Sequence, residues 1–291
     1  MELFVNLNDI NNLDKFSDEA ITGIIIQDAL FSSGVTTQPL QAIDKIHALG
    51  KKAVIRCDLL FNENQLELVE EYLRKLAEHK ADMIIYTDLG VKMLLEGLKL
   101  PLKGIYAPET LLTDYYDIQE LKNDGVDGCI ISKDIPLRDA YTISEEVPDY
   151  CYLRIHGPVL IAYSRRRYIS SYLDENNEEY LDGYTIQELT RKEKLPLIQK
   201  SSGSWLYYAC LQSFNEIDHL INSKLKGLVI DNHWYPDSYT LDIITLYRKV
   251  INKEISGEEI ERQLLQICPD IDYLDINELK ETWLLKEKNE G

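Results

Sequence analysis

Residues 47–79, HALGKKAVIRCDLLFNENQLELVEEYLRKLAEH, contain one full unit of the pattern that decides the fold. A short apolar run at residues 53–57 follows Gly50, and an amphipathic segment at residues 65–79 follows that run. Leucine and valine recur in this segment every three or four residues, as they do on the buried face of a helix. A glycine just before a strand suits the left-handed cap that ends a preceding helix. The stretch therefore predicts a strand followed by a helix.

The same strand–helix unit recurs along the chain. Repeated units with short links indicate a parallel sheet with right-handed crossovers. The first strands are not followed by a glycine-rich phosphate-binding turn, which disfavours an open dinucleotide-binding sheet. We therefore predict an α/β protein with a (β/α)8 barrel like the TIM barrel. The nearly continuous apolar runs that we assign to strands buried on both faces are residues 21–27, 53–57, 83–87, 103–107, 128–132, 152–156 and 227–230.

An acidic loop at residues 174–182 interrupts this alternation. Three short strand-like runs follow within residues 184–209, and the alternation then resumes. These runs predict a small β excursion after the sixth or seventh barrel strand, with residues 174–210 as a candidate insertion. Since no linker divides the chain, we predict a single barrel domain over residues 1–291, with a helical tail at residues 254–291.

The overall composition limits the function classes. The chain has 50 acidic and 31 basic residues and a net charge of −19, which disfavours a free-standing nucleic-acid binder that must neutralise phosphates. Its five cysteines are widely spaced, which suits buried reduced thiols better than disulfides or a metal cage. The N-terminus does not resemble a signal peptide, and the apolar runs are too short to span a bilayer. We therefore predict a cytoplasmic protein with no membrane partner.

One basic segment contrasts with this acidic background. Residues 154–173, RIHGPVLIAYSRRRYISSYL, contain four of the ten arginines and no carboxylate. A local positive charge in an acidic protein is a candidate anion site, and the arginine fork matches a carboxylate or a phosphate. A run of charges is more often a solvated face, and adjacent side chains point in different directions. At most two of the arginines at residues 165–167 are therefore expected to line a pocket.

Carboxylates and one histidine occur where the predicted strands end, which is the face of a barrel that holds functional groups. For any single aspartate, capping of the next helix is the favoured interpretation. For His156 beside Arg154, a structural and a functional role are equally favoured. The sequence lacks the common metal and nucleophile motifs, so we predict no metal ligands and assign no catalytic residue. The candidate ligand-binding residues are Asp88, Glu109, Arg154, His156, Tyr163, Ser164, Arg166 and Asp231.

The segment HGPVLIAYSRRRYISSYL, residues 156–173, resembles the signature of the collagenase-like peptidase family U32. That signature runs H-G-A-x-C-x-x-Y-S-x-R-C-x-x-S-x-Y. Further segments are similar to the family in order and spacing from about residue 21 to residue 253. The positions that match the signature are His156, Gly157, Tyr163, Ser164, Arg166, Ser170 and Tyr172.

The chain departs from the family pattern at the positions of its iron–sulfur ligands. The first two cluster cysteines would fall at Leu160 and Arg167, and the second pair falls in the acidic segment 174–182, which has no cysteine. A cluster of that type is held by thiolates. The K-I-E-G-R motif of the family appears as V-I-D-N-H at residues 229–233. The resemblance therefore implies a diverged paralogue with no cluster and no other cofactor.

The resemblance also implies a role. Family members act in oxygen-independent or prephenate-dependent hydroxylations, and one branch forms 5-hydroxyuridine at the wobble position of tRNA through a shorter and a longer paralogue. This chain is similar to the shorter one. The implied role is a subunit that binds a small, prephenate-like anion or assists a longer, cysteine-bearing paralogue in a homo- or hetero-oligomer, and meets tRNA indirectly. The alternatives are a non-catalytic scaffold with a vestigial pocket and a peptidase, so enzymatic and non-enzymatic roles are both retained.

Overall fold

The computed structural model describes residues 1–109, 111–176, 184–187, 189, 194–232, 234–268 and 272–278. In this part of the chain the strands are β1 (Glu2–Asn6), β2 (Gly23–Gln27), β3 (Lys52–Cys57), β4 (Met83–Tyr86), β5 (Lys103–Tyr106), β6 (Gly128–Ile130), β7 (Cys151–Ser164), β8 (Thr185–Ile186), β9 (Leu195–Lys200), β10 (Gly203–Gln212), β11 (Gly227–Ile230) and β12 (Tyr273–Asp275). The α-helices there are α1 (Pro39–Ala48), α2 (Leu66–Glu78), α3 (Leu89–Leu98), α4 (Tyr115–Asn123), α5 (Leu137–Glu146), α6 (Tyr168–Asn176), α7 (Ile217–Ile221), α8 (Asp237–Ile251) and α9 (Gly257–Ile267).

Eight parallel strands form a closed barrel. Strands β1 to β7 are neighbours in chain order, and β11 pairs with both β7 and β1. Helices α1 to α5, α7 and α8 alternate with these strands, which confirms the predicted TIM-barrel fold. The sequence pattern did not predict β1, because only three apolar residues lie between Glu2 and Asn6. This short strand nevertheless closes the barrel, since it joins β11 to β2.

The barrel interior is apolar along most of its length and polar at the C-terminal ends of the strands. Side chains alternate between the two faces of a strand, so residues two positions beyond the apolar interior also face inward. Arg56 and Asp231 occupy such positions and are only 4% and 2% exposed. Burying a charge is costly unless it is paired, which makes this end of the barrel the candidate site. The apolar interior consists of Phe4, Ile25, Val54, Met83, Ile85, Ile105, Ala107, Ile130, Tyr152 and Val229.

Strand β7 is 14 residues long and belongs to two sheets. Its first part pairs with β6 and β11 in the barrel, and its second part pairs antiparallel with β10. Strand β10 pairs with β9, and β9 pairs with β8, so the excursion follows the seventh barrel strand, as the sequence predicted. The extra sheet begins within β7 itself, before the candidate insertion at residues 174–210.

The C-terminal segment begins with α9 and continues into β12, which pairs in parallel with β10. The expected helical tail at residues 254–291 therefore includes a short strand, and its residues 279–291 lie outside the described ranges. Among the helices described, none is long and apolar enough to cross a bilayer.

Candidate functional site

A cavity of about 230 Å³ lies at the C-terminal mouth of the barrel, between the strand ends and the excursion. Its excursion side is aromatic, formed by Tyr163 of β7 with Trp205 and Tyr207 of β10. The Tyr163 and Trp205 rings stack with their centroids 5.0 Å apart. The cavity therefore combines an apolar wall with a charged floor. The charged side chains that line it are Arg56, Asp58, Glu109, Lys133 and Arg154.

Two buried arginines share one buried carboxylate beneath this cavity. Arg154 donates two hydrogen bonds to Glu109, of 2.7 Å from Nη2 and 3.2 Å from Nη1. Nη2 of Arg154 also lies 3.3 Å from Asp231 Oδ2, and Nη2 of Arg56 lies 2.8 Å from the same oxygen. A two-pronged arginine–carboxylate pair is strong and directional. The network therefore fixes both guanidinium groups at the cavity floor.

The pairing keeps these groups ionised. Burial opposes the charge on Arg154, but the attraction of Glu109 and Asp231 outweighs it and raises the Arg154 pKa. Burial likewise opposes ionisation of Glu109, yet Arg154 holds the Glu109 pKa below its usual value. The pKa of Arg56 is raised in the same way, because Asp231 and Asp58 outweigh burial. At neutral pH these two arginines and Glu109 are therefore charged.

Gly157 allows β7 to approach β11 closely at this point. Its φ is +136°, and a Cβ atom there would lie 2.1 Å from the carbonyl oxygen of Asp231. The Asp231 amide donates a 2.8 Å hydrogen bond to the His156 carbonyl, which holds the end of β11 against β7. Only glycine adopts such a φ readily and leaves the space free. The histidine–glycine pair of the sequence motif thus places the Asp231 carboxylate between the two arginines.

The excursion is tied to the barrel across the cavity mouth. Lys200 of β9 donates a 2.6 Å hydrogen bond to the Ser33 carbonyl and lies 4.4 Å from the Trp234 ring centre. Burial lowers the Lys200 pKa. Asp58 accepts bonds from the amide and the hydroxyl of Ser33, at 2.7 and 2.5 Å. The aromatic wall is therefore held in place over the charged floor.

Three of the predicted site residues line this cavity, namely Glu109, Arg154 and Tyr163. A fourth, Asp231, lies beneath it and pairs with Arg154. Sequence reasoning did not select Arg56 or Lys133. A signal for Arg56 was present, because it is the one charged residue in the otherwise apolar run 53–57. Lys133 directly follows the strand predicted at residues 128–132. Its side chain is 5% exposed, with Nζ 3.3 Å from both the Glu109 carbonyl oxygen and Asp134.

His156 lies away from the cavity, on the outer side of the barrel wall. Val229 pairs with Arg154 and Ile230 pairs with His156, so Ile155 is an extra residue in β7. Such a bulge reverses the alternation of side chains. His156 Nε2 is 3.0 Å from the hydroxyl of a tyrosine in α8, and complete burial lowers the His156 pKa to about 3. The histidine is therefore neutral and packed in the core, which favours the structural interpretation.

The remaining predicted residues have other positions. Asp88 caps α3 by accepting a 2.7 Å bond from the Gly90 amide, and it also accepts a 2.8 Å bond from the Phe61 amide. This is the capping role that was favoured for a single aspartate. Ser164 and Arg166 lie beyond the cavity, where the Arg166 amide donates to Ser164 Oγ at 3.2 Å. The Arg166 side chain is exposed.

The residues present do not fit the iron–sulfur cluster of the family. Leu160, at the first cluster position, lines the cavity and pairs with Tyr207 across the ladder. Arg167, at the second, donates to Ser170 Oγ at 3.2 Å. Neither side chain can supply a thiolate. Four of the five cysteines are buried, and no cluster of three or more acidic, histidine or cysteine side chains suited to a metal occurs within the described ranges.

The chain is similar to three kinds of known protein. It is 21% identical over 222 residues to tRNA hydroxylation protein P2 of Bacillus subtilis (strain 168), which covers 73% of this chain and 71% of the relative. It is 29% identical over 132 residues to tRNA hydroxylation protein P of Helicobacter pylori (strain J99), which covers 45% of this chain and 31% of the relative. This chain therefore spans less than a third of that longer protein.

The solved structure of a U32 peptidase is also similar, with 12% identity and a TM-score of 0.49 over 79% of this chain and 92% of that one. The family model described as peptidase family U32 matches residues 34–290. Because this match includes most of the barrel and the whole signature segment, the chain belongs to peptidase family U32.

Proposed function

We propose that this chain serves in a tRNA hydroxylation system and binds a small organic anion in the cavity at the barrel mouth. The relatives named tRNA hydroxylation proteins P, P1 and P2 support the first part. The second part rests on one observation, which is the set of buried cations on the cavity floor beneath an aromatic wall.

Lys133 and Arg154 are the groups that would receive the anion. Both contacts of Lys133 are 3.3 Å long. Its ammonium group is therefore bound less tightly by protein groups than the two guanidinium groups are. Arg154 presents its fork to Glu109, whose side chain is 24% exposed at the cavity. A ligand carboxylate has the same shape as the Glu109 carboxylate and suits the same fork. The prephenate-like anion that the family resemblance implies belongs to this ligand class.

The aromatic wall would bind the carbon skeleton of the ligand. Tyr163, Trp205 and Tyr207 face the charged floor across the cavity, and small-molecule sites are typically apolar with a few placed polar groups. Since the residues at the cluster positions supply no thiolate, any redox step would belong to another subunit. We propose the longer, cysteine-bearing paralogue as that partner.

Gene deletion tests the role in hydroxylation. We expect 5-hydroxyuridine and its derivatives in tRNA, measured by mass spectrometry, to fall in the deletion strain and to return with the wild-type gene. Lys133→Met should fail to restore them, because the ligand carboxylate loses its buried counter-charge. Lys75→Met, an exposed lysine of α2, is the matched control and should restore them fully.

Two results would contradict the proposal in different ways. Unchanged tRNA modification in the deletion strain would refute the role in hydroxylation. Full restoration by Lys133→Met would refute the ligand site and favour the scaffold alternative. Calorimetric titration of the purified protein with prephenate separates these cases, since binding should be lost in Lys133→Met and kept in Lys75→Met.

A further inference from the structure

We propose that an exposed arginine patch beside the barrel mouth binds the RNA backbone directly. The patch consists of Arg165, Arg166, Arg167, Tyr168 and Tyr172. This RNA site would extend the proposed role in tRNA hydroxylation, and the identification of the RNA as tRNA rests on that role. Direct binding differs from the sequence expectation that this acidic chain meets tRNA indirectly.

The first observation is that these three arginines have no carboxylate partner among the residues that the structure describes. Arg165 contacts the side-chain oxygens of Asn62 and Gln65, and Arg167 contacts Ser170. Within the described ranges, none of residues 165–167 forms an ion pair. Each of the other arginines in these ranges forms an ion pair with a carboxylate, whether it is buried or on the surface. These arginines are Arg56, Arg74, Arg138, Arg154, Arg248 and Arg262.

This contrast is informative because carboxylates are abundant. The chain carries 50 acidic residues, so carboxylates that could neutralise an arginine are common. Three adjacent guanidinium groups without such a partner in the described ranges repel one another. Such a run is stabilised by an external anion. The positive charge of the patch is therefore available for a partner rather than used by the fold.

The second observation is a pair of exposed tyrosines next to the arginines. Tyr168 is 48% exposed and Tyr172 is 59% exposed, and both lie in α6. Residues four apart share one face of a helix, so both exposed rings lie on the same face of α6. Aromatic rings beside positive charge are the features that bind single-stranded nucleic acid, with bases stacked and phosphates neutralised. An acidic polypeptide would use the arginines but gives no role to the tyrosine pair.

The third observation is the position of the patch at the cavity entrance. Tyr163 lines the cavity, and the arginines begin two residues later, just beyond the end of β7. Two residues of extended chain span about 7 Å. Arg165 also reaches Asn62 and Gln65, which directly precede α2 at the rim of the barrel. An RNA strand held here would present a nucleotide to the cavity mouth.

The size of the patch sets the expected strength of binding. The far end of α6 carries Asp174 and Glu175, which limit the favourable surface to its first turns. Three arginines neutralise about three phosphates, and each phosphate contact with a single strand contributes about 0.7 to the slope of log Kd against log salt concentration. Binding by the chain alone should therefore be modest and strongly dependent on salt.

A binding assay with a labelled tRNA anticodon stem-loop tests the patch. Fluorescence anisotropy at several salt concentrations would compare the wild type with the triple variant Arg165→Gln, Arg166→Gln and Arg167→Gln. We expect the Kd to rise at least tenfold at low salt and the salt slope to fall by about 2. Tyr168→Ala with Tyr172→Ala should raise the Kd by at least about thirtyfold, because the stacking surfaces for two bases are lost, without changing the slope.

The matched control removes the same charge elsewhere. The triple variant Arg74→Gln, Arg138→Gln and Arg262→Gln replaces three exposed arginines that have carboxylate partners, and it should change the Kd less than threefold. Equal weakening by both triple variants would overturn the proposal, because only net charge would then matter. Absence of RNA binding by the wild type at low salt would also overturn it, as would tighter binding of poly-glutamate than of RNA.

The patch and the proposed function fail in distinguishable ways. If the patch triple variant restores tRNA modification fully in the deletion strain, the patch assignment is wrong and the role in hydroxylation stands. If deletion leaves modification unchanged while the patch still binds RNA in the assay above, the RNA site stands and the role in hydroxylation is wrong. Circular dichroism of each variant checks that these exposed substitutions leave the fold intact.

Discussion

The two ends of β7 carry the same type of residue in opposite states. Arg154, near the start of the strand, is 11% exposed and is bound by two carboxylates. Residues 165–167, just beyond its end, are exposed and have no carboxylate partner within the described ranges. Burial decides the difference, because a charge inside the barrel must be neutralised by the protein itself. The inner arginine therefore shapes the site, and the outer ones are free to meet a partner.

The largest expected effect comes from removing the inner arginine. Arg154→Met leaves Glu109 and Asp231 without their shared counter-charge at the cavity floor. Breaking one partner of a buried ion pair costs about 3–5 kcal/mol, so the free energy of unfolding from urea titration should fall by that amount. A loss below about 1 kcal/mol would show that water or Arg56 already neutralises these carboxylates.

The next effect concerns the backbone that positions Asp231. Gly157→Ala places a methyl group 2.1 Å from the Asp231 carbonyl oxygen at a φ of +136°, so the unfolding free energy should fall by about 2–3 kcal/mol. Gly97→Ala is the control. Apart from its chain neighbours and the backbone of its own helix, no atom of the described residues lies within 4 Å of a Cβ at that position. The change should therefore stabilise the protein by about 0.5–1 kcal/mol. Similar signs for the two variants would contradict the close approach of β7 and β11.

A smaller effect tests the separation of His156 from the charged floor. The folded-state pKa of about 3 lies below the ordinary value of 6.5, so only the unfolded chain gains this proton as the pH falls below 6.5. The contribution of the neutral ring to the free energy of unfolding is complete above pH 6.5 and is lost as the pH falls towards 3. At pH 5 this contribution has fallen by about 2 kcal/mol.

Urea titrations at pH 7 and pH 5 measure this loss. His156→Gln should flatten the dependence of the unfolding free energy on pH between these values, whereas the control His79→Gln at the end of α2 should keep it. An unchanged slope in His156→Gln would mean that His156 is accessible to protons in the fold.

The smallest effect belongs to the outer end of the strand. Arg166→Met removes an exposed side chain that forms no ion pair with the described part of the chain, and surface changes of this kind usually alter stability by less than about 0.5 kcal/mol. Urea titration beside Arg154→Met should therefore separate the two ends of β7 clearly. A loss as large as that of Arg154→Met would show that Arg166 is part of the packed structure.

The regular parts of the fold were predictable because they follow from local patterns. The apolar run at residues 53–57 became β3 (Lys52–Cys57), and the run at residues 227–230 became β11. Strand β1 was not predicted, because its short apolar core gains stability only from pairing with two neighbours. For the same reason the pattern gave only the first part of β7, whose second part is stabilised by β10.

The candidate site was predictable only in part. Glu109 and Asp231 follow from the rule that barrel strands end at the functional face, and Arg154 was selected from the basic segment. The structure brings the three together. The sequence also placed His156 beside Arg154, since residues two apart share a face of a regular strand. The extra residue at Ile155 separates them. A bulge depends on how neighbouring strands pair, which spacing along one strand does not encode.

The sequence by itself determined the barrel, the acidic charge, the loss of cluster thiolates and the family resemblance, because each depends on composition or on short-range pattern. Only the tertiary structure decided which arginines the fold uses. Arg56 and Arg154 come from strands 98 residues apart, yet both reach one carboxylate oxygen of Asp231. Residues 165–167 looked like part of the same basic segment but lie outside the barrel. Pairing of buried charges is a contact between distant strands, so it exists only once the barrel has closed.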